Sequence, residues 1–97
     1  MDADVVLGYM YEIGIGVDAS DELAAQRYLR AAREGDSFAQ LRLGDMYRYG
    51  RGVPQSFAEA MGWYRRGAEQ GDAECHRHIG YMHETGEGVK TSYDDAL

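Results

Sequence analysis

One cysteine, Cys75, stands in the 97 residues, so no disulfide can form within the chain, and the even cysteine count of a small secreted scaffold is missing. No apolar run approaches the roughly 18 to 20 residues that a membrane span needs. The opening stretch MDADVVLGYM has acids where a secretory signal carries positive charge. The expectation is a soluble chain without membrane insertion. Its compartment stays open, the cytoplasm being the simpler reading and an exported site remaining open for a piece of a longer protein.

Positive charge is also scarce. Ten Lys and Arg face 17 Asp and Glu, for a net charge of −7. A protein that grips a phosphate backbone gathers Lys and Arg on one face, so nucleic acid is not an expected partner. The little basic charge there is concentrates in the middle. Residues 1–36 hold eight acids and three arginines, 37–73 four acids and five arginines, and 74–97 five acids against Arg77 and Lys90.

Catalytic patterns are missing as well. No spacing suggests a Ser-His-Asp or Cys-His pairing, and the carboxylates scatter over helix exteriors and caps. No enzymatic activity and no cofactor are expected. The stretch YEIGIGVDAS (11–20) looks like a phosphate loop, but a dinucleotide fingerprint needs a third glycine where Ala19 stands. Gly86-Glu87-Gly88-Val89-Lys90-Thr91 likewise lacks the contiguous Gly-Lys-Thr of a Walker loop.

What is present is a repeat. Gly14, Gly50 and Gly86 each open a GxGV loop, 36 residues apart. The same shift aligns Ala3 with Ala39, Leu7 with Leu43, Gly8 with Gly44, Tyr11 with Tyr47, Ser20 with Ser56, Tyr28 with Tyr64 and Asp36 with Asp72. A fixed period of this size marks a stacked-repeat architecture. The units are 3–38, 39–74 and an incomplete 75–97. With 44% hydrophobic and 28% charged residues, one globular domain is in reach.

Each unit reads as two helices. Ala39, Leu43, Met46 and Tyr47 form one stripe, with Arg42, Asp45 and Arg48 facing elsewhere, and Gly50 ends that helix as a left-handed C′ residue. Ser56 then caps a second helix, with Glu59 completing a capping box. Its stripe is Ala60, Trp63, Tyr64, Gly67 and Ala68; Gly71 ends it and Asp72 caps the next. Gly8, Gly44 and Gly80 sit in the middle of first helices, where each costs about 1 kcal/mol against Ala. Their recurrence predicts a close-passing partner helix, with a tyrosine filling the gap.

Ala39, Leu43, Gly44, Tyr47, Gly50, Gly52, Val53, Pro54, Ala60, Trp63, Tyr64, Ala68, Gly71, Asp72 and Ala73 together resemble the Sel-1-like repeat family, relatives of the tetratricopeptide repeats. Departures are Ser20, Ser56 and Ser92 for the usual capping Asp, His83 for Tyr and Arg27 for Trp. The resemblance implies an all-α, right-handed α-α superhelix serving as a scaffold that binds a protein or peptide segment. In tetratricopeptide-like stacks the outward positions of the first helices line the concave face. Here these are Val5, Tyr9, Glu12; Leu41, Asp45, Arg48; and Arg77, Tyr81, Glu84. Tyr9, Glu12, Asp45, Arg48, Arg77, Tyr81 and Glu84 are the expected partner-binding residues. A competing reading pairs Glu12, Arg48 and Glu84 with one another across repeats.

Cys75, His76, His78 and His83 are the one cluster with metal-ligand chemistry. Cys75 falls where other units have alanine and His83 where they have tyrosine, so both read as core substitutions and no metal site is expected. The stretch TSYDDAL only begins a second helix, so the array is expected to continue in a longer protein or to have its open C-terminal end covered, self-association included. The alternative to a scaffold is a structural spacer or dimerisation segment of a larger protein, one with an enzyme domain included.

Overall fold

The computed structural model describes residues 2–87. Five α-helices run α1 (Ala3–Ile13), α2 (Asp21–Arg33), α3 (Ser37–Tyr49), α4 (Phe57–Glu69) and α5 (Ala73–Thr85), with no strand among the described residues. Each helix packs on the next. The result is an all-α solenoid measuring 51 × 25 × 17 Å. Gly88, Val89, Ser92 and Ala96, which the repeat pattern assigns to the third unit, lie outside the described residues.

Capping alternates with the repeat. Asp36 and Asp72 accept the backbone N–H of Ala39 and Cys75 at the starts of α3 and α5 (2.8 and 3.0 Å). Ser20 and Ser56 accept those of Leu23 and Glu59 at the starts of α2 and α4 (3.2 and 3.1 Å). In each case one orphan donor of the first turn is satisfied locally. Helix α3 stops where Gly50 turns left-handed (φ 68°) and donates its N–H to the Met46 carbonyl, a conformation that would cost a residue with a Cβ.

The loop glycines serve packing, not phosphate. A Cβ on Gly52 would fall on the Asp21 carbonyl at the start of α2, so the second loop lies directly against the preceding unit. Val53, beside it, packs onto the first core cluster.

Two buried clusters form the core. One joins Val5, Ala24, Tyr28, Ala31, Leu43, Met46 and Trp63, and the other Ala60, Met61, Tyr64, Ala68, Cys75 and Met82. Tyr47 touches both. Tyr28 and Tyr64 are wholly buried, and each ring lies on the mid-helix glycine of its own unit. A Cβ added at Gly8 would sit 2.8 Å from the Tyr28 ring, and one at Gly44 would be 2.6 Å from that of Tyr64. The expected tyrosine-over-glycine contact is present in both complete units.

The third unit adapts by trading volume. Cys75 is fully buried, with its sulfur filling the space a Cβ on Gly67 would take. One repeat earlier both positions, Ala31 and Ala39, are buried alanines. Arg27, in place of tryptophan, reaches Asp4 at 3.5 Å. His83 departs from expectation: it is exposed, not core, although Tyr11 and Tyr47 at the same repeat position pack against the first cluster.

Glycine substitutions should therefore have opposite signs. Gly44→Ala drives a methyl into a ring with nowhere to go, and overpacking outweighs the propensity gain, for a net loss of about 1 to 2 kcal/mol. Gly62, also inside α4, is exposed, with no described atom within 4 Å of an added Cβ, and Gln26 occupies its place one repeat earlier. Gly62→Ala should gain about 0.5 to 1 kcal/mol. Urea melts of both variants check the pair of signs.

Candidate partner-binding face

The face begins with what the buried tyrosines require. A phenol taken out of water needs a partner for its hydroxyl, and each finds a carboxylate on a first helix. Tyr28 donates to Glu12 (2.8 Å). Tyr64 donates to Asp45. Burial first, and then these hydrogen bonds, push both phenols well above the ordinary tyrosine range.

The carboxylates then need cations. Glu12, with a side chain 2% exposed, pairs with Arg42 and with Arg51 at 3.4 Å. Burial alone would raise its pKa, but the hydrogen bonds from Arg42 and Tyr28 and the two positive charges outweigh that and hold it below the ordinary value. Asp45 takes a second contact from Arg42 at 3.4 Å. The His78 ring stacks on Tyr64 with centroids 5.0 Å apart and brings Nε2 to 3.8 Å from Asp45.

Arg48 is 4% exposed. Its Nε and Nη2 donate to the two Glu87 oxygens, both at 3.0 Å, in a bidentate fork. Its guanidinium lies 4.9 Å from the centroid of the Tyr81 ring and 5.3 Å from that of Tyr49, within cation–π range of both. The fork to Glu87 is the largest effect raising the Arg48 pKa, and it lowers that of Glu87 in turn.

Glu12 and Arg48 thus differ from the sequence expectation. They are buried framework, and they pair with Arg42, Arg51 and Glu87, not with each other or with Glu84. A charge at an outward helical position reads as solvated, but the adjoining first helix covers it. Val5, also expected outward, is buried. Asp45 is largely enclosed by its three partners. Tyr9 (46% exposed), Tyr81 (52%), Arg77 and Glu84 do reach solvent, and Arg77 pairs with Glu74 on the surface of α5.

Two grooves run along the first helices. Between α3 and α5 lies a space of about 320 Å³ lined by Arg48, Tyr49, Glu74, Arg77, His78 and Tyr81. Between α1 and the start of α3 lies an apolar one of about 390 Å³ lined by Val5, Val6, Tyr9, Met10 and Phe38. Tyr49 and Phe38 were missed from sequence. A signal for Tyr49 was present: it directly precedes a C′ glycine, as Ile13 does one repeat earlier, and both are exposed.

The basic middle of the chain is not an open basic patch. Of its five arginines, Arg42, Arg48 and Arg51 are ion-paired within the fold. Among the described residues no group of three or more His, Cys, Asp or Glu side chains could hold a metal ion, and no helix is long and apolar enough to cross a membrane.

The model of the Sel1 repeat matches residues 2–36, 37–72 and 73–97. The chain belongs to the Sel1-repeat family. It is similar to the crystal structure of a Sel1 repeat protein from Oxalobacter formigenes, with 39% identity and a TM-score of 0.88, covering 97% of this chain and 39% of that one. It is also similar to c5321, a protective antigen of uropathogenic Escherichia coli strains displaying an SLR fold, with 38% identity and a TM-score of 0.87, over 91% of this chain and 19% of that one. This Sel1-repeat chain thus spans about two fifths and one fifth of those relatives. Among curated proteins no sequence matches it significantly. Sel1-repeat proteins are generally protein-interaction scaffolds, on a fold that is not itself catalytic.

Glu12 should dominate acid sensitivity. Its folded pKa lies below its unfolded one, so its contribution is complete above about pH 4.5 and is lost as pH falls through the folded value. Glu12→Gln should cost about 2 kcal/mol at pH 7, less than a fully buried pair because Arg42 and Arg51 are partly solvated. The variant should also show a shallower loss between pH 5 and 3, read from urea midpoints across that range.

Cys75 should be inert. Burial first, then the Asp72 charge, pushes its thiol up to about 12, which leaves roughly one thiolate in 10⁴ at pH 8. Iodoacetamide should modify the native chain at least about 100-fold more slowly than the urea-unfolded chain, as followed by mass spectrometry.

Proposed function

We propose that the face shared by α1, α3 and α5 binds an extended or helical segment of another protein. The observation that carries this reading is the pair of exposed tyrosines, Tyr49 and Tyr81, flanking a guanidinium held in place by Glu87 over the groove between α3 and α5. Tyr9 and Phe38 extend the aromatic surface along the apolar groove one repeat away. Aromatic side chains on rigid helices offer large contact area at small entropic cost, and such residues carry most interface energy.

In this reading Arg77 and Glu84 form a polar rim. Asp45 contributes less, since Tyr64 and Arg42 already occupy its oxygens. Glu12 and Arg48 serve by holding the first helices in register. The reading includes no cofactor, catalytic step, nucleic acid or membrane. A spacer or dimerisation role inside a larger protein is the second reading.

The test is capture from source-cell lysate by the wild-type chain and by Tyr9→Ala/Tyr49→Ala/Tyr81→Ala, with equal circular dichroism and urea midpoints required of both baits. A protein retained by the first and at least tenfold depleted on the second is the expected result. Equal retention by both baits, or none by either, moves the weight to the spacer reading.

A further inference from the structure

At two successive junctions, equivalent backbone positions hold ion pairs of opposite polarity. The last turn of α1 carries Glu12, and 36 residues later the last turn of α3 carries Arg48. Opposite each stands the residue that follows the C′ glycine of the next unit, Arg51 after Gly50 and Glu87 after Gly86. These two also lie 36 residues apart, and their backbones are held alike. The N–H of Arg51 donates to the Met46 carbonyl at 2.9 Å, and that of Glu87 to the Met82 carbonyl at 3.0 Å. Glu12 meets Arg51 at 3.4 Å, an arginine that also donates to Asp21 of its own junction at 3.3 Å, and Arg48 meets Glu87 at 3.0 Å. The first clasp runs acid to base, the second base to acid.

The surroundings of each clasp are matched to its sign. Glu12 also accepts from Tyr28 and Arg42, groups that stabilise an anion. Arg48 lies between the Tyr49 and Tyr81 rings, whose faces attract a cation. Stacked units resemble one another in shape, which makes mispairing and the exchange of units between copies a standing hazard of repeat chains. Here a misplaced unit meets like charge. The loop bearing Glu87, stacked on an α1, faces Glu12; the loop bearing Arg51, stacked on the α3 of a second copy, faces Arg48.

We infer that this reversed clasp rejects a second copy of the chain stacking out of register on the units that connectivity already places in order. Specificity here comes from the charge pattern of the wrong pairings as much as from the right ones.

The experiment uses the full chain with Arg48→Glu, Glu87→Arg and the two combined. The combined variant makes both junctions acid to base, so either loop suits either helix. Each single reversal should lower the urea midpoint, and the combination should melt above Arg48→Glu alone, the signature of direct coupling in a double-mutant cycle. After refolding at high concentration, size-exclusion chromatography should show a dimer in the combined variant at several times its wild-type share. A combined variant no more stable than Arg48→Glu overturns the pairing. Recovery of stability without the added dimer overturns the role in rejecting a second copy. If Arg48→Glu does not fold, the cycle of Arg48→Gln and Glu87→Gln reads the coupling, and the dimer comparison is made on the combined reversal; if that also fails to fold, acid-to-base polarity cannot serve the second junction and interchangeability is refuted.

Discussion

Two tyrosine rings lying on two glycines organise this protein. Because Gly8 and Gly44 have no side chain, the second helix of each unit comes close enough for Tyr28 and Tyr64 to be wholly buried. Their hydroxyls then have to be satisfied inside the stack, and Glu12 and Asp45 do so. A buried carboxylate in turn requires cations, which brings in Arg42 and Arg51 from the following unit. A packing decision at one backbone position therefore propagates into the electrostatics of the junction, and from there into which charges remain for a partner.

That chain of requirements explains why the exposed face is aromatic more than charged. The ionic groups of the first helices are largely consumed in holding neighbouring units together, while Tyr9, Phe38, Tyr49 and Tyr81 are left at the surface. Since a buried carboxylate that loses its arginines is far costlier than an exposed pair, the clasps tie the relative placement of the helices to the rigidity of that face. A stacked array has no long-range core to do this, so each junction must provide it locally.

Much of the fold was legible in the sequence because its determinants are local and periodic. The Ser and Asp caps, the left-handed glycines that end the first helices and the 36-residue spacing each act within a few residues of themselves, and repetition multiplied the signal. The tyrosine-over-glycine contact could also be read, since a glycine that recurs mid-helix against its propensity marks a place where a neighbour packs too closely for a Cβ. His83 and Val5 were misplaced for a different reason: helical periodicity assigns a residue to a face, but whether a neighbouring element covers that face is a separate question.

The sequence by itself determined the unit, its period, its caps and its membership of a stacked-helix class, because these follow from backbone geometry and hydrophobic spacing. Only the tertiary structure decided what the charges do. Glu12 and Arg48 look like solvated residues on a helix exterior until Arg51 and Glu87 arrive from 39 residues away, since an ion pair is specified by the distance between two side chains, and the helical period constrains only one of them.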